Sequence, residues 1–353
     1  MDTLIVSIDP NNITAEDEKM FEKAGEIIKA GGLVAFPTET VYGLGGDALN
    51  SNSSKKIYAA KGRPSDNPLI VHISSFDQLY KIVADIPDSA RALAETFWPG
   101  PLTMIFKKSD AVPYETTGGL DTVAVRMPDH QVALRFIETA GGYIAAPSAN
   151  LSGRPSPSLA SHVIQDMNCR INMIIDGGQV GIGVESTIVD MTSDVPTILR
   201  PGYITERMLE AVLGQIDVDK TILSADTGLK PKAPGMKYRH YAPMGQMTIV
   251  EGDEDKVVTL INGKIAEARA EGKKTGVICT DETYDKVDAD VKLSLGPRAD
   301  DAEKARRLYK VLRDFDDQKV EVIYSESFSD QGFGQAVMNR LLKAAGFTVA
   351  HIK

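Results

Sequence analysis

Apolar residues near the N-terminus recur at the spacing of an α-helix. Phe21, Ala24 and Ile28 fall on one face, at intervals of three and four residues. Thr14 and Asp17 lie three residues apart, which is the spacing of a capping box at a helix N-terminus. The pattern therefore predicts a helix that begins after Thr14 and ends at the glycine pair at 31–32.

Short apolar runs bounded by turn residues predict buried strands farther along the chain. The predicted strands in the first 200 residues are 33–36, 69–73, 102–106, 122–126, 143–146, 173–175, 187–190 and 197–200. Helical patterns over 89–97 and 131–140 separate some of these strands. Because strands and helices mix at irregular spacing, we expect an α/β domain with a mixed sheet and flanking helices.

The pattern changes after a helix predicted over 204–213. Residues 216–245 include a stretch rich in proline, glycine and basic residues without any apolar period, which is typical of a linker. Beyond it, strands over 247–250, 275–280 and 320–325 alternate with helices over 255–271, 300–314 and 335–345. A chain of 353 residues usually forms two domains. We therefore predict one domain over 1–215 and a smaller, Rossmann-like parallel α/β domain over 246–353.

Charge and composition narrow the possible functions. Residues 1–200 hold 16 basic and 24 acidic side chains, which weighs against a module that grips a nucleic-acid backbone. Apolar runs are too short to cross a bilayer, and the N-terminus lacks the features of a secretory signal. Two cysteines, Cys169 and Cys279, fit a reducing cytoplasm. The five histidines lack metal-ligand spacing, so we expect no metal site formed by the protein itself.

Polar and charged side chains cluster next to the predicted strands. They are Thr38, Lys61, Arg63, Asn67, Arg126, Ser148, Asn150, Ser156, Ser186 and Arg200. Arginine, lysine and hydroxyl groups suit phosphate and carboxylate oxygens. Taken singly, Lys61 and Arg63 also fit a solvated turn, a strand-end arginine fits a surface ion pair, and His72 fits a hydrogen-bonded core residue. Their coincidence at strand ends, where open sheets bind ligands, favours an anion site.

Six segments in the same order resemble the YrdC-like domain of threonylcarbamoyl-AMP synthases. They are FPTETVYGLG, YAAKGRPSDNPLIVHI, FWPGPLT, VAVRMP, APSANLSGRPSPS and ESTIVD, within residues 15–205. PGMKYRHYAP in the linker and GFGQAVMNRL near the C-terminus resemble the longer, two-domain form of this family. The resemblance implies a YrdC-like twisted mixed sheet, with residues 216–245 acting as a lid over the active site.

The resemblance also implies a role for individual residues. L-Threonine would be held by Thr38, His72, Arg126, Ala146 and Ser186. ATP would be held by Lys61, Arg63, Asn67, Thr122, Ser148, Asn150, Ser156 and Arg200, and by Lys237, Tyr238, His240 and Tyr241 of the linker. Thr122 would lie beside Arg126. Lys61 and Arg63 would be the catalytic residues, and no protein nucleophile is needed.

The activity that the resemblance implies is a nucleotidyl transfer. L-Threonine, bicarbonate and ATP would give L-threonylcarbamoyl-AMP and pyrophosphate, with Mg²⁺ held mainly by the ATP phosphates. The product would serve a tRNA threonylcarbamoyl transferase complex in the cytoplasm, and direct tRNA binding would be weak or absent. Two alternatives stay open at this point: an RNA-binding module without chemistry, and another enzyme that forms a carbamoyl adenylate. No motif in 246–353 indicates a second active site.

Overall fold

Two β-sheets organise the part of the chain that the computed structural model describes, which is residues 2–219, 222 and 240–352. Strands of the first sheet are β1 Leu4–Ser7, β2 Val34–Phe36, β3 Gly43–Asp47, β4 Ile70–His72, β5 Leu102–Lys107, β6 Thr122–Arg126, β7 Ile144–Ala146, β8 Met173–Asp176, β9 Thr187–Asp190, β10 Thr197–Arg200 and β11 Asp217–Val218. They lie in the order β1-β8-β2-β3-β7-β4-β6-β5-β9-β10-β11. The sheet contains both parallel and antiparallel pairs, so the predicted mixed sheet is confirmed.

Helices cover this sheet. They are α1 Ala15–Lys29, α2 Ser51–Lys61, α3 Leu79–Ile82, α4 Asp88–Phe97, α5 Gln131–Thr139, α6 Ala160–Met167 and α7 Glu206–Leu213, with a short 3₁₀ turn at Phe76–Gln78. The capping box predicted for α1 is present: the Thr14 amide donates to Asp17 Oδ2 at 2.8 Å, and the Asp17 amide donates to Thr14 Oγ1 at 3.3 Å. Phe21, Ala24 and Ile28 of α1 are buried, as their spacing predicts.

The second sheet is smaller and entirely parallel. Its strands are β12 Gln246–Glu251, β13 Thr275–Cys279, β14 Val291–Ser294, β15 Val322–Glu326 and β16 Val349–His351, in the order β14-β13-β15-β12-β16. Helices α8 Glu254–Ala270, α9 Asp301–Asp317 and α10 Gly334–Ala344 connect them. This arrangement confirms a parallel α/β fold after the linker. The domain boundaries at residues 215 and 245 stay a prediction.

Strand β3 is absent from the sequence prediction because its sequence, GLGGD, has low strand propensity. The structure shows why glycine occupies it. A Cβ atom on Gly45 would lie 2.8 Å from Cγ2 of Ile144 in the adjacent strand β7 and 3.1 Å from the Val34 carbonyl oxygen in β2. The sheet packs too closely at this point for a side chain.

Helices α9 and α10 pack against the first domain. Gly183, with φ of 91°, passes so close to α9 that a Cβ atom there would lie 2.4 Å from the Ala305 carbonyl oxygen. The buried side chain of Arg313 in α9 pairs with Asp166 Oδ2 of α6 at 2.8 Å. An apolar cluster also joins both parts, since Val41 and Val184 pack with residues of α9 and α10.

Main-chain carbonyl groups of the first domain accept many of the hydrogen bonds across this interface. Arg313 Nη2 donates to the Pro155 carbonyl at 2.7 Å, and Arg306 Nε donates to the Gly181 carbonyl at 3.3 Å. Arg340 of α10 donates to the carbonyl groups of Pro201 and Glu185. In these bonds the donors are side chains of the smaller domain and the acceptors are backbone oxygens, whereas Asp166 and Glu185 accept through their carboxylates. Among the described helices, none is both long and apolar enough to cross a bilayer.

Candidate active site

One cleft of the first domain gathers most of the side chains that the sequence singled out. The loops after β2 and β7, the C-terminal end of α2, and the ends of β4, β6 and β10 all reach it. The predicted residues that line it are Thr38, Lys61, Arg63, His72, Arg126, Ala146, Ser148, Asn150, Ser186, Arg200, His240 and Tyr241. Side chains far apart in sequence therefore meet at a single site.

Arg126 anchors one end of the cleft. It is 4% exposed and lies at the last position of β6. Its Nη1 donates to Thr40 Oγ1 at 2.8 Å, and its Nη2 lies 2.7 Å from Glu39 Oε1. Thr38 Oγ1, beside them, donates to the Val41 carbonyl at 2.6 Å. Nothing in the sequence pairs Glu39 with Arg126, although the two lie in the FPTETVYGLG and VAVRMP segments.

His72 lies close to Arg126 and is electrically neutral. Burial, together with the charge of Arg126, lowers the pKa of His72 to about 3. Nδ1 lies 3.2 Å from the Ile70 carbonyl oxygen, which accepts a hydrogen bond when Nδ1 carries the ring hydrogen. The ring packs edge-on against Phe36, with the centroids 5.8 Å apart. His72 therefore adds shape and polarity to the site, whereas Arg126 adds the positive charge.

Three further basic side chains, Lys61, Arg63 and Arg200, converge in the cleft. Lys61 ends α2, and Gly62, with φ of 64°, turns the chain so that Arg63 also reaches the cleft. Lys61 Nζ donates to the carbonyl groups of Ser148 and Asn150, both at 2.5 Å. Burial lowers the pKa of Lys61 well below its ordinary value, because a charged amine loses solvation there.

Arg63 and Arg200 are held by backbone and hydroxyl oxygens. Arg63 Nε donates to the Asn67 carbonyl at 3.2 Å. Arg200 Nε donates to the Ser186 carbonyl at 3.0 Å, and its Nη2 donates to Ser186 Oγ at 3.1 Å. Burial lowers the pKa of each guanidinium to about 10, so both are still charged at pH 7. Buried cations this close together call for an anion with several negative charges.

Glu185 is a site residue that sequence analysis did not assign. Its carboxylate lines the cleft and accepts a hydrogen bond from Ser156 Oγ at 2.6 Å. Burial favours the neutral acid, but Arg340, Arg200 and the hydrogen bonds outweigh it and lower the pKa of Glu185 to about 2. The position of Glu185 beside Ser186 in a quoted motif was the one available signal. Its partner Arg340 lies 155 residues away in sequence, so no local pattern could reveal the pair.

Three predicted residues lie outside the lining of the cleft. Asn67 is buried and orients Arg63 through its carbonyl group, while no partner for its Oδ1 lies among the described residues. Ser156 is buried behind Glu185. The expectation that Thr122 lies beside Arg126 is wrong, because they occupy opposite ends of β6, about 13 Å apart for four strand steps. A nucleotide contact by Thr122 stays a prediction.

The linker reaches the cleft at its C-terminal end. Tyr241, with φ of 64°, is buried, and its ring packs on that of Tyr309 with centroids 5.2 Å apart. His240 lies beside it at a centroid distance of 5.5 Å, and burial lowers the pKa of His240 to about 3. The predicted contacts of Lys237 and Tyr238 lie outside the described residues.

A metal ion would find few ligands here. Across residues 2–219, 222 and 240–352, no group of three or more His, Cys, Asp or Glu side chains is arranged to hold a metal ion. The carboxylate of Glu185, which lines the cleft, already forms an ion pair with Arg340.

The mixed sheet and the basic cleft place the chain in the YrdC-like class of α/β proteins. A family model described as "Telomere recombination" (Sua5_yciO_yrdC) matches residues 26–202, and one described as "Threonylcarbamoyl-AMP synthase, C-terminal domain" matches residues 204–346. Threonylcarbamoyl-AMP synthase of Pyrococcus abyssi is 51% identical over 93% of this chain and 95% of its own. That of Bacillus subtilis is 48% identical over 96% of each. The chain belongs to the threonylcarbamoyl-AMP synthase family.

A solved structure supports this assignment over the whole length. The crystal structure of P. abyssi Sua5 complexed with L-threonine superposes with a TM-score of 0.93 at 48% identity, covering 99% of this chain and 100% of that one. The resemblance seen in the sequence and its two-domain form are thus confirmed. L-Threonine is a ligand of that relative.

Proposed function

We propose that this chain forms L-threonylcarbamoyl-AMP from L-threonine, bicarbonate and ATP, with release of pyrophosphate and water. The observation that carries the proposal is the convergence of Lys61, Arg63 and Arg200 in the cleft that Arg126 also lines. Such a cleft suits a polyphosphate at one end and an amino-acid carboxylate at the other. The family to which the chain belongs supports the same substrates.

L-Threonine would occupy the end of the cleft at Arg126. The guanidinium would pair with the substrate carboxylate, and Thr38, His72 and Ser186 would face the rest of the amino acid, with Ala146 closing the wall. Since Glu39 pairs with Arg126 at 2.7 Å, the substrate carboxylate would share or displace that contact. The crystal structure of the P. abyssi relative with L-threonine supports an amino-acid site in this fold.

ATP would occupy the end of the cleft at Lys61, Arg63 and Arg200. The threonine amine attacks bicarbonate to give a carbamate and water, and a carbamate oxygen then attacks the α-phosphorus as pyrophosphate leaves. Lys61 and Arg63 are the proposed catalytic residues, because cations fixed before the reaction stabilise the negative charge that develops on the phosphate oxygens. Ser148 and Asn150 hold Lys61 in place.

The linker would exclude water from the reaction. A carbamate decomposes in water, so a closed site protects it. His240 and Tyr241 line the cleft from the linker side, which supports a lid formed by this segment. Mg²⁺ would enter with ATP and neutralise phosphate charge. The product would pass to a tRNA threonylcarbamoyl transferase complex, and we expect a cytoplasmic enzyme that binds tRNA weakly if at all.

The test is threonine-dependent release of pyrophosphate by the full chain, with the product identified by mass spectrometry. Matched reactions without threonine, without bicarbonate, and with the Arg126→Gln variant serve as controls. We expect pyrophosphate and a threonylcarbamoyl adenylate only in the complete reaction. Release that does not depend on threonine, or no release at all, would contradict the proposed function.

A further inference from the structure

The cleft is lined by basic side chains that suit an anion, but a carboxylate also lines it. Glu185 is 7% exposed, and it shares the cleft with Lys61, Arg63 and Arg200. Like charges at short range repel, and they do so more strongly where water is excluded. An uncompensated carboxylate here would weaken the binding of any phosphate that entered.

Two side chains of the smaller domain donate hydrogen bonds to this carboxylate. Tyr309 of α9 donates its hydroxyl to the two carboxylate oxygens, at 2.8 and 3.0 Å. Arg340 of α10 lies with Nε 3.1 Å from Oε2, and its Nη2 donates to the Glu185 main-chain carbonyl at 3.1 Å. Both side chains are fully buried. The carboxylate is thus neutralised by a group that belongs to the other domain.

The same contacts reach two predicted ligand residues. Ser156 gives its hydroxyl hydrogen to Glu185 Oε1, so its orientation depends on the carboxylate. Ser186 follows Glu185 directly and accepts from Arg200 Nη2 at 3.1 Å. A displacement of Glu185 would therefore move the hydroxyl that orients Arg200.

We propose that Arg340 and Tyr309 are positioning residues of the ATP site, which neutralise Glu185 and fix it so that the cleft accepts phosphate. The inference rests on the proposed function, because ATP is the anion in question. It gives helices α9 and α10 a part in nucleotide binding through Glu185; Arg340 lies in the GFGQAVMNRL segment, whereas no motif marks Tyr309.

Titration calorimetry of ATP with the full chain tests this charge balance. Arg340→Gln leaves Glu185 negative without its ion-pair partner, so ATP affinity should fall on the order of a hundredfold. Adding Glu185→Gln to Arg340→Gln removes the stranded charge and should restore most of that affinity. If Arg340 only stabilised the fold, adding Glu185→Gln would remove a further interdomain contact and would lower ATP affinity again.

Two further variants complete the test. Tyr309→Phe keeps the ring that packs on Tyr241 and removes only the hydroxyl, so ATP affinity should fall about tenfold. Arg313→Gln is the matched control: this arginine is also buried between the domains but pairs with Asp166, so ATP affinity should change by less than about threefold while the melting temperature falls.

Three results would overturn the proposal. They are unchanged ATP affinity in Arg340→Gln and Tyr309→Phe, a double variant that binds ATP more weakly than Arg340→Gln, or an equal loss in Arg313→Gln. Circular dichroism checks that each variant is folded. If Arg340→Gln does not fold, the ATP affinity of Tyr309→Phe tests the proposal. Failure of the proposed function is a separate result, because it appears as a parent protein that binds ATP but releases no threonine-dependent pyrophosphate.

Discussion

Gly183 offers a direct way to disturb the contact between the two domains without changing a charged group. The Gly183→Ala variant adds one methyl group at a residue with φ of 91°. The new Cβ would lie 2.4 Å from the Ala305 carbonyl oxygen and 2.5 Å from the Arg306 Cα atom. Both atoms belong to the backbone of α9, so no side-chain rotation can make room.

The expected cost has two parts. An alanine in the left-handed region costs about 1–2 kcal/mol. Overpacking a filled contact typically costs about 1–3 kcal/mol more, because the helix must shift. Gly141 separates the parts, since its φ is 103° and a Cβ atom there would meet no atom within 4 Å. Gly141→Ala should therefore show the first cost alone, and Gly183→Ala should show both.

Differential scanning calorimetry measures the difference between the two variants. At roughly 2–4 °C per kcal/mol for domains of this size, Gly183→Ala should melt about 2–12 °C below Gly141→Ala. Gly183→Ala should also bind ATP more weakly, because a shifted α9 moves Tyr309 away from Glu185. Equal melting temperatures in the two variants would refute the reasoning, since they would show that α9 does not press on Gly183.

Three other predictions concern the cleft and the buried histidines. Lys61→Ala should weaken ATP binding by about tenfold to a hundredfold, measured by calorimetry, because it removes a charge-assisted contact to phosphate. 2-Aminobutyrate, which lacks the threonine hydroxyl, should be a poor substrate by up to about 10⁴-fold in pyrophosphate release, and equal turnover would show that the hydroxyl is not recognised. Burial and the charge of Arg313 lower the pKa of His162 to about 3, so the unfolded chain binds a proton there below pH 6.5 while the folded chain does not. The free energy of unfolding should therefore fall by up to about 1.4 kcal/mol per pH unit from this residue between pH 6 and 4, and His162→Gln should flatten that slope in urea titrations.

Local patterns in the sequence predicted much of the fold. Strands β6, β9 and β10 have the predicted bounds, because compact apolar runs between turn residues leave few alternatives. Strands β14 and β16 were not predicted: their side chains are largely half-buried or exposed, so they lack a clear apolar signal. Their pairing depends on neighbouring strands that are distant in sequence.

The candidate site was predictable where it consists of recognisable motifs on the first domain and the linker. The residues that flank Lys61, Arg63 and Arg200 in the sequence form recognisable patterns. All three side chains line the cleft. Tyr309 lies in an amphipathic helix where a buried tyrosine has no distinguishing spacing, and Arg340 lies in the GFGQAVMNRL segment, which indicates the family but not the role of this arginine. Their importance arises from a single carboxylate in another domain, which a linear pattern cannot show.

The backbone carbonyl groups that accept hydrogen bonds at the domain interface affect which substitutions this protein can tolerate. Arg306, Arg313 and Arg340 donate to carbonyl oxygens of Gly181, Pro155, Pro201 and Glu185, and every amino acid supplies such an oxygen. Substitutions on the first domain can therefore keep these bonds, whereas loss of one of the three arginines removes them. Methods that infer contacts from correlated substitutions should therefore miss these carbonyl contacts, and should detect the interface only at side-chain pairs such as Arg313 with Asp166 and Arg340 with Glu185.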